Sequence, residues 1–140
     1  VPYSATRTLA AAAHAIALSR ASHLGVLLDL LHFMRSASGL ASLRALPPEH
    51  LAYVQLCDGP LTGPAPEKLA EEARGQRLYP GQGAFPLRDI LQALPASVPF
   101  EIETPHAGLA GRGFDEQAIA AAAATRHFLG QFNNNQEQTA

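Results

Sequence analysis

Apolar residues recur along this chain in two rhythms. The first is helical. In SATRTLAAAAHAIALSRAS, residues 4–22, Leu9, Ala13, Ile16 and Ala17 share one face, with Ser and Thr ahead of them as candidate N-caps. FDEQAIAAAAATRHFLGQF, 114–132, repeats the pattern, with acids in its first turn and Arg126 and His127 near its end, where a helix dipole favours each charge. Shorter helical segments are SGLASLRAL, 38–46, stopped by Pro47 and Pro48, and PLRDILQALP, 86–95, which starts on proline. EKLAEEARG reads as a brief helix between two Gly/Pro-rich loops. The second rhythm is a short, nearly continuous apolar run, as in strands covered on both faces: Leu24–Leu30, Leu51–Cys57 and Val98–Thr104. Helices and strands alternate throughout, which predicts an α/β fold with a parallel sheet.

The polar residues that interrupt these runs carry the chemistry. Asp29 sits inside an apolar run and must be paired, hydrogen-bonded or bound to a cation, because a bare buried charge is prohibitive. Each strand turns polar at the same end. Asp29 is followed by His32, Gln55 by Asp58, and Glu101 and Glu103 by His106. In parallel α/β folds that end forms the ligand-binding face. Asp29, Gln55 and Glu103 from adjacent strands would form an oxygen-rich set suited to Mg²⁺ or Mn²⁺ rather than zinc. Taken singly, each has a plainer role. A strand-end carboxylate also caps helices or pairs with arginine, and a lone glutamine is more often a satisfied core amide. Glu101 and Glu103 point to one side of their strand, so at most one is the central ligand. His14, His50 and His127 are expected to be structural or exposed, and Cys57 a small core residue.

Composition narrows the field. The 140 residues are 47% hydrophobic and 16% charged, with a formal net charge of −2, enough for one domain with a core. That balance offers no basic field for nucleic acid and no polybasic membrane patch. No run of about 18 apolar residues predicts a membrane span, and the Ala-rich opening lacks the features of a signal peptide. A single cysteine excludes an internal disulfide framework and fits a reducing, cytoplasmic setting. Residues 133–140 read as a polar, disordered tail after a 1–132 domain, and the start at Val1 reads as a cut.

GVLLDLLHFMRSA, LAYVQLCDGP, RGQRLYPGQGAFPLRDILQAL and VPFEIETP, in this order, resemble the C-terminal half of the sugar phosphate isomerase/epimerase family. These are the xylose isomerase-like TIM barrels, which also include endonuclease IV and inosose dehydratase. The specific parts are D-x-x-H at 29–32 and R-x-x-P-G-x-G at 77–83, and the match spans residues 1–130. The resemblance implies a (β/α)₈ barrel of which this chain carries strands six to eight with flanking helices. A complete barrel takes about 250 residues, so the chain reads as a piece of a longer one. The alternative is a half-barrel that pairs with itself, since a three-stranded sheet leaves two open edges.

Family members hold one divalent ion through Glu, Asp, His and Glu on strands five to eight. The resemblance carries the second and fourth ligands to Asp29 and Glu103 and puts Gln55 where many relatives have His. It gives His32 a contact to substrate oxygen and Arg77 a reach into the substrate site, with Arg74 a second candidate for anion contact. It also implies proton abstraction next to a carbonyl on a sugar or polyol-like small molecule, with Glu103 as ligand and acid/base and His32 as donor. The resemblance suggests that 3-dehydroshikimate dehydratase-like members use Gln at the position of Gln55, which makes a lyase the alternative. A degenerate barrel without turnover is a third reading. Neither nucleic acid nor membrane is an expected partner, and a homo-oligomer is possible.

Overall fold

The computed structural model describes residues 6–137. Its centre is a three-stranded parallel sheet in the order β1-β2-β3, formed by β1 (Val26–Asp29), β2 (Leu51–Leu56) and β3 (Phe100–Ile102). The described residues also form six α-helices: α1 (Leu9–Ser19), α2 (Leu30–Met34), α3 (Leu40–Arg44), α4 (Leu69–Gly75), α5 (Leu87–Gln92) and α6 (Phe114–Glu137). The alternation expected from the sequence is present. The strands are shorter than their apolar runs because the residues at each end already turn toward the next helix.

Side chains alternate across the strands, and the two faces differ. Leu28, Val54 and Leu56 point to the helical layer, where they pack with Leu31, Phe33, Leu87, Ile90 and Phe128 into the core. Leu30, Val54, Leu56 and Ile90 are wholly buried. Burying a leucine or isoleucine contributes about 1.5–3 kcal/mol, so this layer dominates the stability of the unit. The opposite face bears Leu27, Tyr53 and the polar strand-end residues, and Leu27 stays 42% exposed. Coverage on both faces, expected from the continuous runs, is therefore met on the helical face only.

Local chemistry sets the helix boundaries. Thr8 caps α1 by accepting from the Ala11 N–H at 3.2 Å, and Arg20 ends it in a left-handed conformation at φ 56°. The Leu9 N–H donates to Ser38 Oγ at 2.9 Å, tying the start of α1 to the loop before α3. The helix α2 carries no separate signal in the sequence, because Leu30–Met34 is as apolar as the strand before it. Asp29 starts the helix as its N-cap. At the other end, α6 runs through Asn133–Glu137, where a disordered tail was expected. A turn added to an existing helix needs no new nucleus, and Gln and Glu are good helix formers. Residues 138–140 lie outside the described residues.

Candidate functional site

Strand register places the polar residues. Asp29 pairs with Gln55 across β1 and β2, and Gln55 pairs with Glu101 across β2 and β3. One transverse row therefore carries Asp29, Gln55 and Glu101 at the C-terminal end of the sheet. Gln55 Nε2 lies 3.4 Å from Glu101 Oε2, a long hydrogen bond. Glu103, the expected ligand, stands two residues beyond this row. Its backbone carbonyl accepts from Arg77 Nη1 at 3.4 Å, and the residue lines a crevice with Tyr79, Pro105 and Gln117 of α6. The reason is register: β3 is offset so that Glu101 is the residue opposite Gln55.

The partner of Asp29 is Arg77. Its guanidinium lies flat on the carboxylate, Nη1 to Oδ1 at 3.0 Å and Nη2 to Oδ2 at 2.9 Å. Arg77 also donates through Nε to the Ala73 carbonyl at 3.1 Å and is only 4% exposed. Burial pulls the Arg77 pKa down, and the Asp29 carboxylate more than offsets it, leaving the group above its ordinary value. Of its five N–H groups, four are engaged within the protein. The expected reach of Arg77 into a substrate site is thus replaced by a bidentate grip on Asp29. Arg74, the second candidate for anion contact, is exposed on α4.

Asp29 also caps α2, with Oδ1 accepting the His32 N–H at 3.2 Å. This cap brings the His32 ring back toward the same carboxylate, Nε2 standing 3.7 Å from Oδ2. Burial lowers the His32 pKa from 6.5, and the nearby Asp29 charge opposes the shift without cancelling it. Asp29, His32 and Gln55 line one cavity of about 390 Å³, walled by Thr8, Ser36 and Ser38. Cys57 sits behind the pair, its Sγ 3.9 Å from Arg77 Nη1, and burial raises its thiol to about 11. It is an inert core group, as the sequence suggested.

Solved structures share this arrangement of strands and helices. The IolI protein with a bound zinc atom superposes with a TM-score of 0.76 at 20% identity, over 90% of this chain and 45% of that one. A xylose isomerase-like TIM barrel/4-hydroxyphenylpyruvate dioxygenase fusion protein gives 0.75 at 21%, over 95% of this chain and 21% of its own. The fold is that of the xylose isomerase-like barrels. A xylose isomerase domain protein from Alicyclobacillus acidocaldarius subsp. acidocaldarius gives 0.63 at 28%, over 89% and 42%. The chain spans less than half the length of each of these barrels, so three parallel strands represent part of one. No family model matches the sequence, and no curated protein matches it significantly.

Barrels of this kind raise the question of a metal, and the donor row can be tested for it. Among the described residues, no three His, Cys, Asp or Glu side chains are grouped to hold an ion. The row instead mixes two carboxylates with an amide. Asp29 Oδ1 already accepts from Arg77 and from the His32 N–H, whereas Oδ2 accepts from Arg77 alone and keeps a lone pair. Gln55 uses its NH₂ toward Glu101, which leaves its carbonyl oxygen as the ligand it can offer. These are hard oxygen donors, suited in kind to Mg²⁺ or Mn²⁺. They are too few for a full sphere, so an ion held here takes its remaining ligands from water or from groups beyond these residues.

Two features of the site escaped the sequence reading. The Asp29–Arg77 pair joins residues 48 apart, and nothing local marks it. Asp58 was noted only as polar; it is 1% exposed and accepts four backbone N–H groups. The glycines at 81 and 83 were the available signal, because a carboxylate can gather backbone amides only where no side chain intervenes.

Proposed function

We propose that the protein is a divalent-metal-dependent sugar isomerase or epimerase that works by removing a proton next to a carbonyl. The observation that carries this reading is the row Asp29–Gln55–Glu101 at the C-terminal end of a sheet whose fold is xylose isomerase-like. A bound divalent cation would supply charge stabilisation for the enediolate oxygen, and Asp29, Gln55 and Glu101 would hold it. Glu101 replaces Glu103 in this assignment because register aligns it with the other two.

The roles follow from environment. Asp29 is fixed on both sides, by Arg77 and by its helix cap, so it acts as a rigid anchor and not as a mobile base. Glu101 is exposed on the open face; besides the cation it accepts, among the described residues, only from Gln55 at Oε2, and its other oxygen would take a proton from carbon. His32, neutral at physiological pH because burial lowers its pKa, donates a hydrogen bond to a substrate oxygen in the cavity. The hydroxyls of Thr8, Ser36 and Ser38 around that cavity suit a polyhydroxylated substrate. Gln55 favours a second reading, dehydration of a polyhydroxylated ring, since an amide binds a cation less tightly than imidazole and leaves a hydrogen-bond donor at the site.

The test is thermal unfolding of the intact protein with and without Mn²⁺ or Mg²⁺. Metal is expected to raise Tm in wild type but not in Asp29→Ala or Glu101→Ala. Loss of the shift in Glu103→Ala with its retention in Glu101→Ala would reverse the assignment. No shift in wild type at saturating metal defeats the metal-dependent reading. Incubation with ketoses, an inosose and dehydroshikimate then separates rearrangement from loss of water.

A further inference from the structure

Asp58 follows β2 by two residues and is almost fully enclosed, at 1% exposure. Its carboxylate is a collecting point for backbone donors. Oδ1 accepts from Gly59 at 2.8 Å and Phe85 at 3.0 Å, and Oδ2 from Gly81 and Gly83, each at 3.0 Å. Its own backbone forms a two-bond bridge to Leu78, N–H to carbonyl at 2.8 Å and carbonyl from N–H at 2.9 Å. Leu78 is the residue after Arg77. One aspartate therefore ties both ends of segment 78–85 to the end of β2, directly beside the arginine that grips Asp29.

We propose that Asp58 is a positioning residue for the site, acting through Arg77: by knotting segment 78–85 onto β2 it sets the guanidinium flat against Asp29. The consequence for cation binding rests on the proposed function above; the positional claim does not. The geometry demands a carboxylate. Four N–H groups converge on two oxygens, and an asparagine of the same size would turn its NH₂ toward two of those donors. Besides Asp29, Arg77 is held by the Pro105 carbonyl on its backbone N–H at 3.3 Å, by the Ala73 carbonyl on Nε at 3.1 Å and by the Glu103 carbonyl on Nη1 at 3.4 Å; the Leu78 bridge, at 2.8 and 2.9 Å, is the shorter main-chain hold on the residue that follows it.

The experiment reads Arg77 directly. In the ¹⁵N-labelled intact protein, a bidentate pair blocks rotation of the guanidinium, so Arg77 shows resolved, slowly exchanging Nη–H signals, assigned by their loss in Asp29→Asn. In Asp58→Asn these signals are expected to merge and their hydrogen exchange to accelerate at least about tenfold, the loss of one strong hydrogen-bonded hold. Retention of the dispersed backbone amide signals of the sheet and helices certifies the fold, because Arg35, which lies over the Phe85 ring, shares the same loop. Unchanged Arg77 signals in folded Asp58→Asn overturn the proposal. Should that variant fail to fold, Gly83→Ala opens the same knot, because its Cβ would meet Asp58 Oδ1 and the Gly59 carbonyl; retained Arg77 signals there overturn the proposal equally. Mn²⁺ affinity is the second readout, expected to weaken about 10- to 100-fold in Asp58→Asn, as when the hydrogen-bond partner of a ligand is lost. Wild type that binds no Mn²⁺ defeats the functional reading alone, and the guanidinium result still decides the role of Asp58.

Discussion

A buried carboxylate dictates its own surroundings, and Asp29 shows how tightly. Its two oxygens accept two guanidinium donors and one helix-cap N–H, so a single residue ends a strand, starts a helix and fixes an arginine 48 positions away. His32 inherits its place from that cap. Its ring is more strongly affected by burial than by the carboxylate at 3.7 Å, which gives a defined pH dependence. With a folded-state pKa below 6.5, His32 binds its proton more weakly than it does in the unfolded chain. Stability is therefore undiminished above 6.5 and falls as pH drops through the window from 6.5 to the lower folded value. An NMR titration is expected to give a His32 midpoint below 6.5, and Asp29→Asn is expected to lower it further by removing the charge that raises it. A wild-type midpoint at or above 6.5 would mean that the carboxylate outweighs burial.

Between residues and the whole lies the loop from Asp58 to Gly83, whose Gly/Pro content reads as a wall or lid over the site. Its contacts tie it down at several points. Arg35, the C-cap of α2, clamps it from outside by a bidentate pair with Glu72 of α4, at 2.9 and 2.7 Å, donates to the Pro60 carbonyl at 2.7 Å and lies over the Phe85 ring at 5.2 Å. Asp58 closes the other end. Within it, Gly81 adopts φ +86°, and a Cβ there would come 3.1 Å from the Phe128 ring. Gly81→Ala is expected to cost more than about 1 kcal/mol in urea unfolding, since a left-handed backbone penalises a side chain. Gly130, on α6 with open space around it, provides the contrast. Gly130→Ala is expected to stabilise by up to about 1 kcal/mol through helix propensity. Equal effects of the two substitutions would show that backbone conformation does not fix the loop. The elements themselves were legible in the sequence wherever periodicity was long, as in α1 and α6, or where proline cut it, as after α3. The α2 helix was not, because five residues after a strand, four of them apolar, carry no period of their own. Nor was the choice between Glu101 and Glu103, because the pleat puts both on one side and only pairing with β2 separates them.

At the scale of the molecule, the sheet has two edges without a strand partner among the described residues. β2 is bonded on both sides, whereas β1 and β3 each pair with β2 alone. The open face adds Leu27 at 42% exposure, and Phe114 and Ile119 on α6 are 91% and 67% exposed. Solved barrels of this fold are more than twice as long as the segment they share with this chain, and in a barrel further strands close both edges. An edge of unpaired N–H and C=O groups beside an exposed leucine is a template for another strand. These 140 residues expressed alone are therefore expected to self-associate with rising concentration, as light scattering would measure. Leu27→Lys is expected to shift the equilibrium toward monomer, because it places a charge on the face that a second sheet would cover. Because Leu27 precedes the Asp29 row by one pleat, a chain whose interior face is already filled should show neither behaviour. A monomer at all concentrations, indifferent to Leu27→Lys, would mean that the open face and edges are stable in water, and the sheet would then have no need of the strands that complete a barrel.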